Sequence, residues 1–349
     1  MSIPIHNVYY LLCYAWNALD EVQVVEVDTI RPRHVVDLLA SVLARGVNHL
    51  LRRGLDRGYL EHREQLATVR GRIELEPTVR LGLHRQGRVH CAFDELSHDV
   101  LHNQILKTTI THLIGVVELD PEVRHQLAPL RRRLEGVTEI PLHPAPFGRV
   151  QIHRNNAFYR FLLHICELVW GCLVPAEGGG RTRFRDFLRD ERRMEWLFER
   201  FILNFYDREQ VEYSVRRDHL RWDAAALRPE REQDLCYLPQ METDVSLRSS
   251  DRTLIIDTKY YSETLTSKYH GAPKVHAENL YQLHAYLSNM EHLGGADAEA
   301  EGLLLYPDCQ GAVDLAFELR GHRVRVKTLN LNQHWNGIHA DLLSMLERS

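Results

Sequence analysis

The chain has 349 residues, enough for two domains with a core in each. Its 44% hydrophobic and 26% charged content is ordinary for a folded protein, and no run approaches the roughly eighteen apolar residues of a membrane span. A formal charge of −5 excludes a strongly basic nucleic-acid binder, so any DNA contact must be local or supplied by a partner.

The apolar stretch 8–19 lacks a basic segment before it and a small-residue cleavage site after it, and reads as a buried helix over 7–19. A second helix is expected over 33–53, closed by Gly54. Residues 59–93 change to short alternating runs broken by Gly71, Pro77, Gly82 and Gly87, the texture of strands and hairpins. Arg70, Arg72, Arg80, Arg85 and Arg88 crowd this segment, as a solvated face or as a docking surface for nucleic acid or an acidic partner. Arg85 and Arg88, beside Gly87, are expected at a hairpin tip.

Helical spacing resumes over 94–112, with Asp99 available as a cap. His98 and His102 have the spacing of one helix face, but no Cys or third His accompanies them and zinc is not expected. Pro141, Pro144, Pro146 and Gly148 suggest a domain boundary, giving domains 1–150 and 151–349. Beyond it come a helix over 157–173, a glycine run at 178–180 and a long amphipathic helix over 184–206. Strands are expected at 241–247, 253–261, 302–306, 313–319 and 324–331, before a helix over 333–346. The six cysteines form no Cys-x-x-Cys pair, which argues against a zinc ribbon or disulfide scaffold and fits a reducing cytoplasm.

Residues 241–261 carry the chemistry. They read as a hairpin in which Leu254, Ile255 and Ile256 run directly into Asp257, with Lys259 on the same strand face two residues on. Only five of the basic residues are lysines, so this one invites a chemical reading. A carboxylate and an ammonium beside a buried run need compensation, and Asp244 in the middle of the neighbouring strand supplies a second carboxylate. A hard divalent cation resolves the repulsion of two such groups. Asp244 and Asp257 would hold Mg²⁺, with Mn²⁺ as the alternative, helped by the carbonyl of Thr258. Lys259 would orient or deprotonate the attacking water in phosphodiester hydrolysis. A surface hairpin with an Asp/Lys pair would show the same triplet.

The order Asp244, Asp-Thr-Lys (257–259), then Asn-Leu-Tyr-Gln-Leu-His-Ala-Tyr (279–286) resembles the restriction-endonuclease-like superfamily, with the Gln-x-x-x-Tyr helix of its RecB-type members. Ile-Pro-Ile-His-Asn-Val-Tyr-Tyr-Leu-Leu-Cys-Tyr-Ala-Trp (3–16), Arg-Gly-Arg-Ile (70–73), Phe-Asp-Glu-Leu-Ser with Asn-Gln-Ile-Leu-Lys (93–107), Arg-Trp-Asp (221–223) and Met-Glu-Thr-Asp (241–244) resemble the McrC family, nuclease subunits of McrBC modification-dependent restriction systems.

That resemblance implies an α/β fold: a C-terminal restriction-endonuclease-like core with a central mixed sheet, preceded by an N-terminal α+β partner-docking domain. It implies a Mg²⁺-dependent endodeoxyribonuclease in the cytoplasm, with no membrane association, working with an AAA+ GTPase of the McrB type that delivers methylated DNA and whose GTP hydrolysis it stimulates. By position, Asp244, Asp257 and Lys259 match the catalytic motif, Gln282 and Tyr286 the auxiliary helix, and Glu199 the place of a further metal-site acid. Thr243 stands where the wider superfamily has Pro. Arg70, Arg72, Arg85 and Arg88 are the candidate contacts to the GTPase ring. A stand-alone RecB-type nuclease, or a chiefly regulatory GTPase-activating subunit, are the other readings.

Overall fold

The computed structural model describes residues 3–22, 32–153, 156–176, 182–261, 265–266, 274–308 and 311–347. The glycine run 178–180 and Lys268 lie outside them. The chain divides into two compact units, 20–186 and 1–19 with 187–349. The sequence expectation of a single cut at 150/151 differs at both ends. Helix α1 (Ile5–Ala15) belongs with the C-terminal segment because its apolar face packs on the long helix there. Asn7 Nδ2 donates to the carbonyls of Leu331 and Gln333 at 2.9 and 2.8 Å, and Tyr10 stacks on Trp335 at 4.6 Å.

In the unit 20–186, α2 (Val35–Arg53) ends at Gly54, whose φ of 99° an L side chain rarely adopts. Strands β1 (Gly58–Leu66), β2 (Arg72–Ile73) and β3 (Val89–Ser97) form an antiparallel sheet in the order β1-β3-β2. The stretch between β2 and β3 is not the expected hairpin: Leu75–Arg80 is helical and Leu83–Gln86 forms a 3₁₀ turn. Gly82 and Gly87, at φ 63° and 67°, bracket that turn.

Residues 94–97, expected as helix, belong to β3, where pairing with β1 satisfies their backbone. Helix α3 (Leu101–Ile114) starts without a side-chain cap, and Asp99 instead accepts from the backbone and hydroxyl of Thr138. His98 therefore lies before the helix, and His102 faces Asp56 at 3.2 Å. Helices α4 (Pro121–Arg133) and α5 (Ala157–Cys172) pack on α2 and α3. The proline-rich stretch holds a further short helix, Pro144–Arg149, with a proline in its first turn and Pro146 buried. It is an element of this unit, not a linker.

In the other unit, α6 (Glu191–Glu209) is capped by Asp190 accepting from the Arg193 amide; residues 184–190, expected as its start, lie before it. A six-stranded mixed sheet follows: β4 (Ser214–Arg216), β5 (Val245–Arg248), β6 (Thr253–Thr258), β7 (Glu301–Pro307), β8 (Asp314–Leu319) and β9 (His322–Leu329), in the order β8-β9-β7-β6-β5-β4. β6, β7 and β9 run parallel; the other pairings are antiparallel. Every residue of β6 is buried, as a central parallel strand requires. Helix α7 (Ala277–Ser288) lies between β6 and β7, and its Leu283 and Leu287 pack with Ile255, Leu304 and Val326. Ile255 shares its strand face with Asp257, so α7 covers the face that bears this aspartate. Helix α8 (Trp335–Ser344) closes the chain, and the Tyr206 hydroxyl donates to the Leu342 carbonyl at 2.8 Å.

Candidate active site

The expected strand 241–247 is broken. Met241–Glu242 pairs with His219–Leu220, β5 starts at Val245, and Asp244 sits at the bend between them, not in mid-strand. Thr243 makes the bend. It is buried, its amide donates to the Asp218 carbonyl at 3.0 Å, and its hydroxyl accepts from the Asp218 amide at 2.9 Å and contacts Ser246 Oγ at 2.8 Å. A proline here could neither donate the first bond nor accept the second, so Thr243 does by hydrogen bonding what a fixed φ would otherwise do. Asp244 is thereby turned toward β6, where its Oδ2 accepts from the backbone and hydroxyl of Thr258 at 2.7 and 2.9 Å. In an extended strand the N–H and C=O of a residue point the same way, so the Thr258 carbonyl also faces the Asp244 side.

Asp257 is fully buried, with Oδ2 2.9 Å from Lys259 Nζ. Its Oδ1 accepts no hydrogen bond among the described residues. Burial pushes the carboxyl up to about 7; the Asp244 and Glu195 charges add to the rise, and Lys259 opposes it. Burial, the largest single influence, would lower the Lys259 ammonium, but the charge and hydrogen bond of Asp257 together with the charges of Asp244 and Tyr261 hold the lysine above its ordinary value. Lys259 is thus a cation in this setting, and the water-orienting role suits it better than that of a base.

Glu199 stands near Asp244 on α6. Its carboxyl is raised by burial and by the Asp244 charge, and it pairs with Arg217 at 2.8 Å, which also reaches Glu242 at 3.2 Å. Among the described residues no group of three His, Cys, Asp or Glu side chains is arranged to hold a metal. The donor set is two mutually repelling carboxylates, one with an orphaned buried oxygen, and that fits a hard cation.

On α7, Gln282 Nε2 donates to the Tyr286 hydroxyl at 2.6 Å, which donates to the Glu242 carbonyl at 3.0 Å, two residues before Asp244. Asn279 does not share this role, because its Nδ2 turns into the core toward the Tyr306 hydroxyl at 2.9 Å. Sequence reasoning missed Glu195 and Tyr261, both of which bear electrostatically on this site. Each had a signal: Glu195 is one turn before Glu199, and Tyr261 continues the alternation of 257 and 259.

The four arginines lie in the unit 20–186. Arg70 covers the Phe93 ring at 4.1 Å and faces Glu95 at 3.7 Å; Arg72 faces Glu74 at 4.0 Å; Arg88 donates to the Gln65 carbonyl at 3.2 Å. Arg85 is exposed on the 3₁₀ turn, with no ion-pair partner among the described residues. No helix among the described residues is long and apolar enough to cross a membrane.

The profile of the family described as "McrBC 5-methylcytosine restriction system component" matches residues 6–307. The chain is 36% identical over 346 residues to the type IV methyl-directed restriction enzyme EcoKMcrBC of Escherichia coli strain K12, covering 99% of this chain and 97% of the relative. It is similar in fold to a chain of the refined half-complex from the tetradecameric assembly of Thermococcus gammatolerans McrB AAA+ hexamers with bound McrC. The TM-score is 0.58 at 17% identity, over 98% of this chain and 76% of that one. The family profile and the E. coli relative each span most of the chain, which therefore belongs to the McrBC 5-methylcytosine restriction system component family.

Proposed function

We propose that this chain is the DNA-cleaving subunit of a modification-dependent restriction complex, a Mg²⁺-dependent endonuclease of restriction-endonuclease-like layout. The observation that carries the reading is the buried Asp257–Lys259 pair at 2.9 Å beside Asp244, with one Asp257 oxygen left without a hydrogen bond. A buried charged pair of this kind costs stability, and at a cation site the cost is offset by function.

Asp244, Asp257 and the Thr258 carbonyl would hold the cation, which when bound would neutralise developing phosphate charge and make water more acidic. The chain's own residues do the rest. Thr258 fixes the Asp244 carboxylate with two hydrogen bonds. Lys259, charged and held by Asp257, orients water and stabilises negative charge on the phosphoryl oxygens. Tyr286 ties the Gln282 side chain to the Glu242 carbonyl, holding α7 against the segment that carries Asp244.

The unit 20–186 would dock to an AAA+ GTPase of the kind named in the archaeal complex, through the segment that carries Arg70, Arg72, Arg85 and Arg88, and would stimulate its GTP hydrolysis. The E. coli relative's name supports methylated DNA as the target. The test is cleavage of methylated and unmethylated DNA, with and without the partner, GTP and Mg²⁺, by the native chain and Asp257→Ala. Cation-dependent cutting lost in Asp257→Ala is expected; undiminished cutting by that variant would overturn the assignment.

A further inference from the structure

Beside β5, along the segment 216–221 that runs past Thr243, lies a cavity of about 320 Å³ with several charged side chains in its lining. Arg216, Arg221 and Arg248 face it together with Asp218 and Asp297, and His219 and His292 stand at its rim. Arg248 is held by both aspartates, and Asp218 is shared with Arg216 at 2.7 Å. Three arginines against two aspartates leave one positive charge before either histidine is protonated. That surplus resides at Arg221, which is exposed and has no ion-pair partner among the described residues.

Arg221 is not a loose surface arginine. On its C-terminal side, Trp222 Nε1 donates to the Pro239 carbonyl at 2.6 Å and the Asp223 amide donates to Asn289 Oδ1 at 2.8 Å, just past the end of α7. The Arg-Trp-Asp segment is thus pinned at its second and third positions while the first is presented to the cavity.

The cavity relates to the active site by strand geometry. It is rimmed by Asn289, His292 and Leu293, just beyond α7, the helix that covers the Asp257 face. Arg248 lies four positions along the strand from Asp244, about 13 Å, and Asp218 in the cavity lining bonds directly to Thr243, the residue before Asp244. Arg217, between two residues that line the cavity, pairs with Glu199 and Glu242 at the catalytic end.

We propose that this cavity is a backbone subsite that holds a phosphodiester of the DNA being cut, on the α7 side of the sheet and within one duplex turn of the scissile linkage, with Arg221 as its free cation. The inference rests on the nuclease reading above and adds where the substrate lies. A guanidinium with no ion-pair partner among the described residues, framed by arginines already neutralised by Asp218 and Asp297, offers its fork of N–H donors to a single monoanion, and beside a nuclease site that monoanion is a backbone phosphodiester.

The test uses the full chain with EDTA, where DNA is bound but not cut, and a short duplex titrated with salt. Arg221→Ala is expected to weaken binding several-fold, equally for methylated and unmethylated sequences, and to lower the slope of log K against log salt by roughly 0.9. Arg221→Lys should recover most of the slope. In the partner-assembled complex with Mg²⁺, a duplex carrying one neutral methylphosphonate linkage at the contacted position should be cut more slowly by the native chain, and no more slowly than plain DNA by Arg221→Ala. Unchanged affinity and slope in Arg221→Ala, or independent effects of the two changes at every linkage tried, would overturn the subsite while native cleavage stands. Absence of any cation-dependent cleavage by the native complex would instead remove the nuclease reading and this inference with it.

Discussion

Asp244 is held by Thr258 through two hydrogen bonds to one oxygen, from the backbone amide at 2.7 Å and from the hydroxyl at 2.9 Å. The first comes with the strand; the second depends on the side chain. Thr258→Val keeps shape and branching and deletes only the hydroxyl, a change of about 1 kcal/mol in that hydrogen bond. The Mg²⁺ concentration for half-maximal cleavage should rise several-fold, with little change in rate at saturating Mg²⁺. An unaltered Mg²⁺ requirement would show that the hydroxyl does not position Asp244.

The Asp257 carboxyl sits near 7 in the folded chain against an ordinary value of 3.8, mainly because of burial. A carboxyl raised on folding keeps its proton better in the native state, so its contribution to stability is greatest at low pH and declines as pH rises from about 4 to about 7. In cation-free buffer the native chain should therefore lose melting temperature over that window relative to Asp257→Asn, which has no such titration. Parallel curves for the two proteins would contradict it. Cleavage at limiting Mg²⁺ should rise over the upper part of the same window, and more Mg²⁺ should move that limb to lower pH, since proton and cation compete for one carboxylate.

Among the described residues, Gln282 reaches the active-site segment through the Tyr286 hydroxyl. Gln282→Ala should slow single-turnover cleavage about tenfold and leave partner binding intact, and Tyr286→Phe should act in the same direction because it breaks the same chain of contacts. Unchanged single-turnover rates in both variants would remove α7 from the catalytic machinery.

Arg85 and Arg88 lie on and just after the 3₁₀ turn between Gly82 and Gly87. Replacing both with Ala should lower partner-stimulated GTP turnover at least tenfold while sparing Mg²⁺ binding at Asp244 and Asp257. Normal stimulation would place the contact elsewhere, and a selective loss of DNA affinity with a flatter salt dependence would assign these arginines to DNA.

Asn7 is buried and donates to two backbone carbonyls near the C-terminus, 324 and 326 residues away. Asn7→Ala leaves both acceptors unpaired and should destabilise the unit 1–19 with 187–349 by about 2 kcal/mol in urea denaturation. A change below about 0.5 kcal/mol would mean that α1 is not integral to that unit.

Much of this was legible from local pattern. The apolar run ending in Asp257 reads as a buried strand, the alternation puts Lys259 on the same face, and the Gln282 and Tyr286 spacing marks one helix face; all three follow from the fixed periods of strand and helix. The sequence by itself also carries the family, through short motifs distributed from residue 3 to residue 286.

What the tertiary structure decided are matters that no local period encodes. Asp244 leaves the strand because Thr243 bonds to Asp218, 25 residues earlier. Asn279 lies on the same helix as Gln282 yet turns inward, because a buried tyrosine on β7 needs its amide. The first helix joins the last segments of the chain because its apolar face and Asn7 find their partners there, and the breaker-rich stretch around Pro144 became a helix within the first unit. Each of these outcomes was set by which distant group could satisfy a buried polar atom or cover an apolar face, and that depends on the fold as a whole.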